Sequence, residues 1–415
     1  MRRYVIVGAG VAGMTAAAAI RRRDVEGAVT VLTDEQHPFY ARIRLPELLS
    51  GSVTPEQLVL KRPQWYERNR IELRTSETAV DVDPAAREVE TSRGARMPYD
   101  ALLLATGARP NVPPIEGVDM PGVFTLRTMA DALAIRARVG AGGRRVCVIG
   151  GGVLGLEASY HMMRAGNAVE VIEFFPRLLP RQTDPEASAM FQRRLESLGL
   201  AFHLDGKTRA IAGGDGAPEA VVLEDGRRVA CDTVLISAGV RPTVKLATRL
   251  GLKVQRGIVV DDRLRTGVPD VYAAGDLIEH RGVTYGIWPP AERQGEVAGT
   301  NMALGDATYG GSTISNTLKV VGVDLFAAGD IDPAAIRKSI IVRDPQRGVY
   351  RKLVLDDAGR IAGAILLGDA TDQRRVLRAM EAHLDVGHDL EALARWDLSC
   401  LDAAGGGPTG SPPVE

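Results

Sequence analysis

Cysteine is scarce in this chain. Three residues, Cys147, Cys231 and Cys400, occur in 415, and no two form a C-x-x-C pair. That excludes a disulfide-stapled scaffold, a paired-thiol relay and a cysteine metal knuckle, and it predicts a reducing, cytoplasmic setting. An excess of one charge is lacking too: Lys and Arg total 51 against 52 for Asp and Glu, so no field points to nucleic acid or an anionic membrane. No apolar run approaches the roughly 18 residues that would cross a bilayer. Arg2 and Arg3 before an apolar stretch imitate a secretory signal, but the glycines inside that stretch are spaced for a nucleotide-binding turn. His37, His203, His280, His383 and His388 show no metal-ligand spacing beyond one pair five apart, so no metal is expected, and His161 reads as packing. Aromatics make up 5% of the chain and none interleaves Arg21-Arg22-Arg23, which reads as a solvated helix end.

What is present is length, apolar content and alternation. A chain of 415 residues, 45% apolar, is sized for two or three units. Short apolar strands alternate with Ala- and Arg-rich helical stretches, the pattern of βαβ units, so the fold class is α/β. Tyr4 to Val7 reads as a buried strand, Met14 to Arg23 as its helix and Val29 to Leu32 as the next strand. The same order recurs at Arg145 to Ile149, a helix through Arg164, and Ala168 to Ile172. Arg109 to Pro114 and Gly239 to Pro242 read as crossovers between the two units. The expected division is residues 1–110 with 241–310 as one domain split in sequence, 111–240 as the second, and 311–398 as a small α+β domain. Residues 399–415, with Gly405 to Gly407 and little apolar content, read as a flexible tail.

Gly8-Ala9-Gly10-Val11-Ala12-Gly13 follows the first strand and opens a helix, the setting in which Gly8, Gly10 and Gly13 permit a tight turn and close approach to a pyrophosphate. The helix N-terminus supplies free N–H donors and a positive dipole. Roughly twenty residues on, where an acid holds a ribose hydroxyl, stand Asp34 and Glu35, and either could serve. Gly150, Gly152 and Gly155 repeat the motif, and Glu173 closes the following strand with no basic residue beside it, which favours NADH over NADPH. Two dinucleotide sites in one chain predict one tightly held prosthetic group and one exchanging coenzyme. Thr106 and Gly107 end the Ala101 to Leu104 strand, and Gly275 and Asp276 end another, both at edges where α/β ligands collect.

With these segments the sequence resembles the two-dinucleotide flavoprotein disulfide-reductase superfamily, and within it the NADH-dependent rubredoxin, ferredoxin and nitrite-reductase flavoproteins, over roughly residues 1 to 390. The resemblance implies two Rossmann-like domains, FAD at the first glycine motif, NADH at the second, Asp276 on the flavin ribitol, and Thr106 and Gly107 lining the FAD. Pro38-Phe39-Tyr40-Ala41-Arg42-Ile43-Arg44-Leu45 matches a family segment, which makes Arg42 an FAD contact. Many ferredoxin reductases carry a lysine two positions after that leucine, paired near flavin N5 with a glutamate of the second motif. Here the two positions read Glu47 and Glu157. Facing carboxylates repel unless one is protonated or Arg44 lies between them, and the arginine is the preferred reading. The run from Trp288 to Gly295 resembles the segment whose helix start faces the flavin pyrimidine, and Ser315 to Asp324 the start of the C-terminal domain of rubredoxin and nitrite reductases.

Disulfide reductases of this superfamily carry a redox cysteine soon after the first acid, but Asp34 to Leu60 holds none, and Cys147 and Cys231 read as buried strand residues. Flavin electrons must then leave directly. The expected activity is FAD-dependent NADH oxidation, with electrons passed to a rubredoxin, a ferredoxin or a reductase component. The competing readings are an NADH oxidase using oxygen and a redox-sensing flavoprotein. The reading leaves room for a homodimer.

Overall fold

The computed structural model describes residues 1–214, 216–320 and 323–404. The first glycine motif leaves a five-stranded parallel sheet ordered Val271–Ala273, Ala101–Leu104, Arg3–Val7, Ala28–Leu32, Ile71–Arg74. The second leaves another, ordered Val123–Thr125, Thr233–Ile236, Arg145–Ile149, Ala168–Ile172, Ala201–His203. Ala101–Leu104 and Thr233–Ile236 are buried throughout, as strands covered on both faces of a parallel sheet must be. The duplication extends to the inserts: each half carries a three-stranded antiparallel sheet just before the strand Ala101–Leu104 or Thr233–Ile236, at Ala79–Pro98 and Thr208–Ala230. The halves differ at one edge strand, which comes from late in the chain in the first sheet and from ahead of the motif in the second.

The helix Val11–Arg23 packs along Trp288–Met302 at close range. A Cβ at Gly295 would stand 2.3 Å from the Ala12 carbonyl oxygen, and one at Gly299 2.4 Å from that of Ala16. This small-residue seam fixes the N-terminus of Trp288–Met302 beside the first motif. The two crossover segments meet as an antiparallel ribbon, Ala108–Pro110 against Val240–Pro242.

The C-terminal unit is α+β: an antiparallel sheet ordered Ser315–Val320, Val323–Gly329, Ile361–Leu367, Val349–Leu355, Ser339–Asp344, with the helix Gln373–Glu381 laid on one face. Its other face shares a core with the helices Val153–Arg164 and Pro185–Glu196 through Leu318, Leu325, Tyr350 and Ile365. At that seam Asp184 caps a helix through the Ala187 N–H (2.9 Å). It also accepts from the Tyr350 hydroxyl (2.6 Å) and the buried Lys352 ammonium (3.2 Å), which in turn donates to the Asp332 carbonyl (3.0 Å).

Two expectations are corrected here. Arg21 is not a solvated helix end: it is 9% exposed and donates to the carbonyls of Asn69, Arg70, Asp24, Val25 and Gly27 at 2.7–2.9 Å. Five carbonyls from two loops converge there, and a guanidinium carries the five donors that satisfy them. The chain also stays ordered past 398. Ser399–Ala404 form a 3-10 turn whose Leu401 is buried in the C-terminal core, so a leucine in a polar stretch anchors what reads as tail. Residues 405–415 lie outside the described residues.

Candidate active site

Both glycine motifs close in the same geometry. Gly8 and Gly150 adopt φ of 116° and 122°, and a Cβ on them would stand 2.1 Å from the Ala105 oxygen and 2.3 Å from the Ser237 oxygen. Gly13 and Gly155 pack against the turn itself, where an added Cβ would stand 1.9 and 2.1 Å from the oxygens of Gly8 and Gly150. Gly10 and Gly152 differ: a Cβ on either would meet nothing within 4 Å. Packing does not require these two glycines. They are the N-caps of Val11–Arg23 and Val153–Arg164 and offer no side-chain cap, so the first-turn N–H groups open onto a space that a Cβ would narrow. A helix N-terminus with such a cradle suits a phosphate, and the residues present fit a dinucleotide pyrophosphate at each motif.

The acid of the second cradle is Glu173, 5% exposed, whose two oxygens accept from the N–H groups of Gly151 (2.6 Å) and Phe175 (2.9 Å). It braces the glycine turn as well as ending the strand. At the first cradle Asp34 is exposed, whereas Glu35 is held by Arg42 (2.6 Å) and the Tyr40 hydroxyl (2.6 Å). Arg42 also donates to the Arg127 carbonyl (2.5 Å), and Arg127 pairs with Asp276 (2.9 Å, 17% exposed). Two ion pairs, Glu35 with Arg42 and Arg127 with Asp276, joined through the Arg127 carbonyl, thus run along the carboxyl edge of the first sheet. Gly107, at φ 64°, leaves room for the Arg127 guanidinium, while the Thr106 hydroxyl ties to the Thr243 carbonyl (2.8 Å). Gly275, at φ 95°, donates to Gln294 of the helix that Trp288 begins, and the Trp288 ring lies 5.8 Å from that of Phe39.

Arg44 does not lie between the two carboxylates. Its Nε and one Nη both donate to Glu47, at 2.7 Å each, because residues three apart at this helical turn meet directly. Glu157, half-buried on the helix that follows the second cradle, has no hydrogen bond or ion pair among the described residues. Burial, reinforced by the Glu47 charge, pushes its carboxyl up to about 7, while the Arg44 hydrogen bonds hold Glu47 below the usual range. One turn beyond Glu157, His161 shares a hydrogen bond with the Ser50 hydroxyl through Nδ1 (2.8 Å), and burial lowers its pKa.

Cys147 and Cys231 are buried together in one core, where the hydrogen bond to Cys231 and burial push the Cys147 thiol up. Among the described residues no group of His, Cys, Asp and Glu could hold a metal, and no helix is long and apolar enough to cross a membrane.

Residues 2–295 match the pyridine nucleotide-disulphide oxidoreductase family. The chain belongs to that family. Residues 315–384 further match the rubredoxin NAD+ reductase C-terminal domain. Among the relatives of this family member, a nitrite reductase [NAD(P)H] of Bacillus subtilis is 37% identical over 93% of this chain and 48% of its own length. An NADH oxidase of Methanocaldococcus jannaschii is 31% identical over 90% of this chain and 89% of its own. A ferredoxin reductase of Rhodopseudomonas palustris superimposes with a TM-score of 0.88 at 26% identity, covering 97% of this chain and all of that one. The chain spans about half the length of the nitrite reductase relatives it matches.

For this family member the structure adds residues that the sequence reading passed over. Arg127 bridges Arg42 and Asp276 from the second unit, and Tyr40, Ser50 and His161 complete the two clusters. A signal for Arg127 existed: it stands between a strand end and the capping box of Thr128 and Asp131, at the edge where α/β ligands collect.

Proposed function

We propose that the chain is an FAD-dependent NADH oxidoreductase that passes electrons to a small redox protein, a rubredoxin, ferredoxin or reductase component, without a thiol relay. The observation that carries it is the pair of matching cradles, each open at its middle glycine, in a chain with no cysteine between Asp34 and Leu60. FAD, when bound, supplies a hydride acceptor that can release electrons singly or in pairs. Gly8, Gly10 and Gly13 hold its pyrophosphate, Asp34 or Glu35 answers its ribose, and Arg42, Thr106, Gly107, Gly275, Asp276 and Trp288 line the rest. Gly150, Gly152, Gly155 and Glu173 hold NADH in the same way, and Glu157, Glu47 and Arg44 stand where the two cradles approach each other.

The division into residues 1–110 with 241–310, 111–240 and 311–398 is part of this reading, supported by the crossover ribbon. So is a cytoplasmic setting, which suits buried free thiols. Stopped-flow reoxidation of the NADH-reduced protein by rubredoxin, ferredoxin and oxygen tests the proposal. A protein that takes up no FAD after reconstitution would refute it. Oxygen outpacing both proteins would favour the oxidase reading, which the archaeal relative supports.

A further inference from the structure

Glu47 and Glu157 stand on two packed helices, close enough for the charge of one to act on the other: Leu45–Leu49, which follows the Arg42 segment of the first cradle, and Val153–Arg164, which starts at the second. Arg44 forms a two-bond pair with Glu47, and Glu157 has no hydrogen bond or ion pair among the described residues. The other charged groups of the surrounding elements are engaged or few. On the same helix are His161, bonded to Ser50, and Arg164, stacked on Tyr160. The helix Met129–Val139 under Leu45–Leu49 carries Asp131, which caps Thr128, Arg138, which donates to the Asp232 carbonyl, and Arg136, which approaches Gly51. In the neighbouring sheet Glu170 is bonded to His203, Arg145 lies at the exposed start of its strand, and Cys147 is paired with Cys231. The strand Ser315–Val320, along the same helix, has Lys319 as its one ionisable residue.

We propose that Glu157 reads the charge of the nicotinamide ring, meeting the cationic oxidised ring as a carboxylate and the neutral reduced ring as a carboxylic acid, so that NAD+ binding releases a proton. The inference rests on the second cradle holding a nicotinamide dinucleotide whose ring turns toward the first cradle, where these two helices pack. Beside a neutral ring, ionising Glu157 places a second negative charge near Glu47 in a half-buried site. Beside a pyridinium, that charge is compensated. A lysine at position 47 would hold the facing glutamate ionised throughout. The glutamate there, paired with Arg44 at the start of its own helix, offers Glu157 no cation and leaves it free to titrate.

The direction of the pH dependence follows. Glu157 is protonated below about 7 in the free protein, and NAD+ lowers its pKa. NAD+ affinity therefore rises with pH up to about 7 and levels off above, gaining about tenfold between pH 6 and pH 8.

Calorimetric titration of NAD+ into the FAD-loaded protein at pH 7, in two buffers of different ionisation enthalpy, counts the proton. About half a proton per site is expected to leave. None should leave with ADP-ribose, which lacks the ring, or with a tetrahydro-NADH analogue, whose ring is neutral and cannot pass a hydride. Glu157→Gln should abolish the release and flatten the pH profile of NAD+ affinity. Glu47→Gln should move the midpoint of that profile below 7, and His161→Gln should leave the release in place. Normal NAD+ binding with no proton released, or loss of release in His161→Gln instead of Glu157→Gln, overturns the proposal. Failure of both NAD+ and ADP-ribose to bind would overturn the coenzyme assignment of the second cradle instead.

Discussion

Replacing Glu173 by Gln keeps the volume of a side chain that is 5% exposed but removes its charge and puts an amide N–H where a backbone N–H now donates. Two effects separate. The bonds to Gly151 (2.6 Å) and Phe175 (2.9 Å) exist without coenzyme, so losing one weakens the fold of the second sheet unit. A hydrogen bond to a charged group contributes about 1.5–3 kcal/mol, enough to lower Tm by several degrees. The bonds from the ribose hydroxyls form only on binding. Losing one of comparable strength raises the dissociation constant of NADH about ten- to a hundredfold, since each 1.4 kcal/mol is about a factor of ten. The 2′-phosphate of NADPH meets the Glu173 charge in the wild type, so the preference for NADH should narrow in the variant. Flavin reduction monitored in stopped flow over a range of NADH and NADPH concentrations gives both constants, and the limiting rate should stay near that of the wild type because the ribose is remote from the transferred hydride. A variant with unchanged NADH affinity, or a wild type that prefers NADPH, would refute the role assigned to Glu173.

Asp276→Ala should weaken FAD retention and leave Arg127 without its 2.9 Å partner, and Asp276→Ala with Arg127→Ala should retain more FAD than Asp276→Ala alone; gel filtration with absorbance at the flavin band reads this. Replacing Cys147, Cys231 and Cys400 together by Ser or Ala should leave NADH reduction of the flavin and delivery to the native acceptor intact; a folded variant that accepts hydride but cannot pass electrons would reveal a thiol relay. Lys352→Ala should destabilise the protein by about 3–5 kcal/mol, because it leaves the buried Asp184 carboxylate without its cationic partner. The double variant Asp184→Asn with Lys352→Met should recover most of that in thermal melts.

The glycine turns were legible because their requirement is local: φ above 110° at Gly8 and Gly150 and contacts near 2 Å admit no side chain, whatever the rest of the chain does. The position of Glu173 at the end of its strand was legible too, but not its bonds to the Gly151 and Phe175 N–H groups. What escaped were pairings set by distant chain. Arg127 meets Asp276 across 149 positions, and Arg21 is buried because the carbonyls of Asn69 and Arg70 arrive beside it from another element. The Arg44 expectation failed in the opposite way. Charge repulsion between Glu47 and Glu157 argued for the arginine between them, and the nearer carboxylate three residues on took it in a two-bond pair. Leu401 shows the same limit at the chain's end, where one apolar residue in a polar stretch docks on a core that sequence periodicity cannot see.

The crossover ribbon bears on synthesis as well as on architecture. The first parallel sheet receives its edge strand Val271–Ala273 only after more than half of the chain has been made, whereas the second draws all five strands from the unbroken stretch between Val123 and Ile236. On a ribosome that releases the chain from its N-terminus, the inserted unit can complete its sheet while the outer one still lacks a strand and the helix Trp288–Met302 that seals its first cradle. Antiparallel pairing of Ala108–Pro110 with Val240–Pro242 then closes the insertion at its two ends and brings the late strand to the waiting edge. Of the two parallel sheets, the one begun first is thus the last whose strands are all available, and its cradle waits with it.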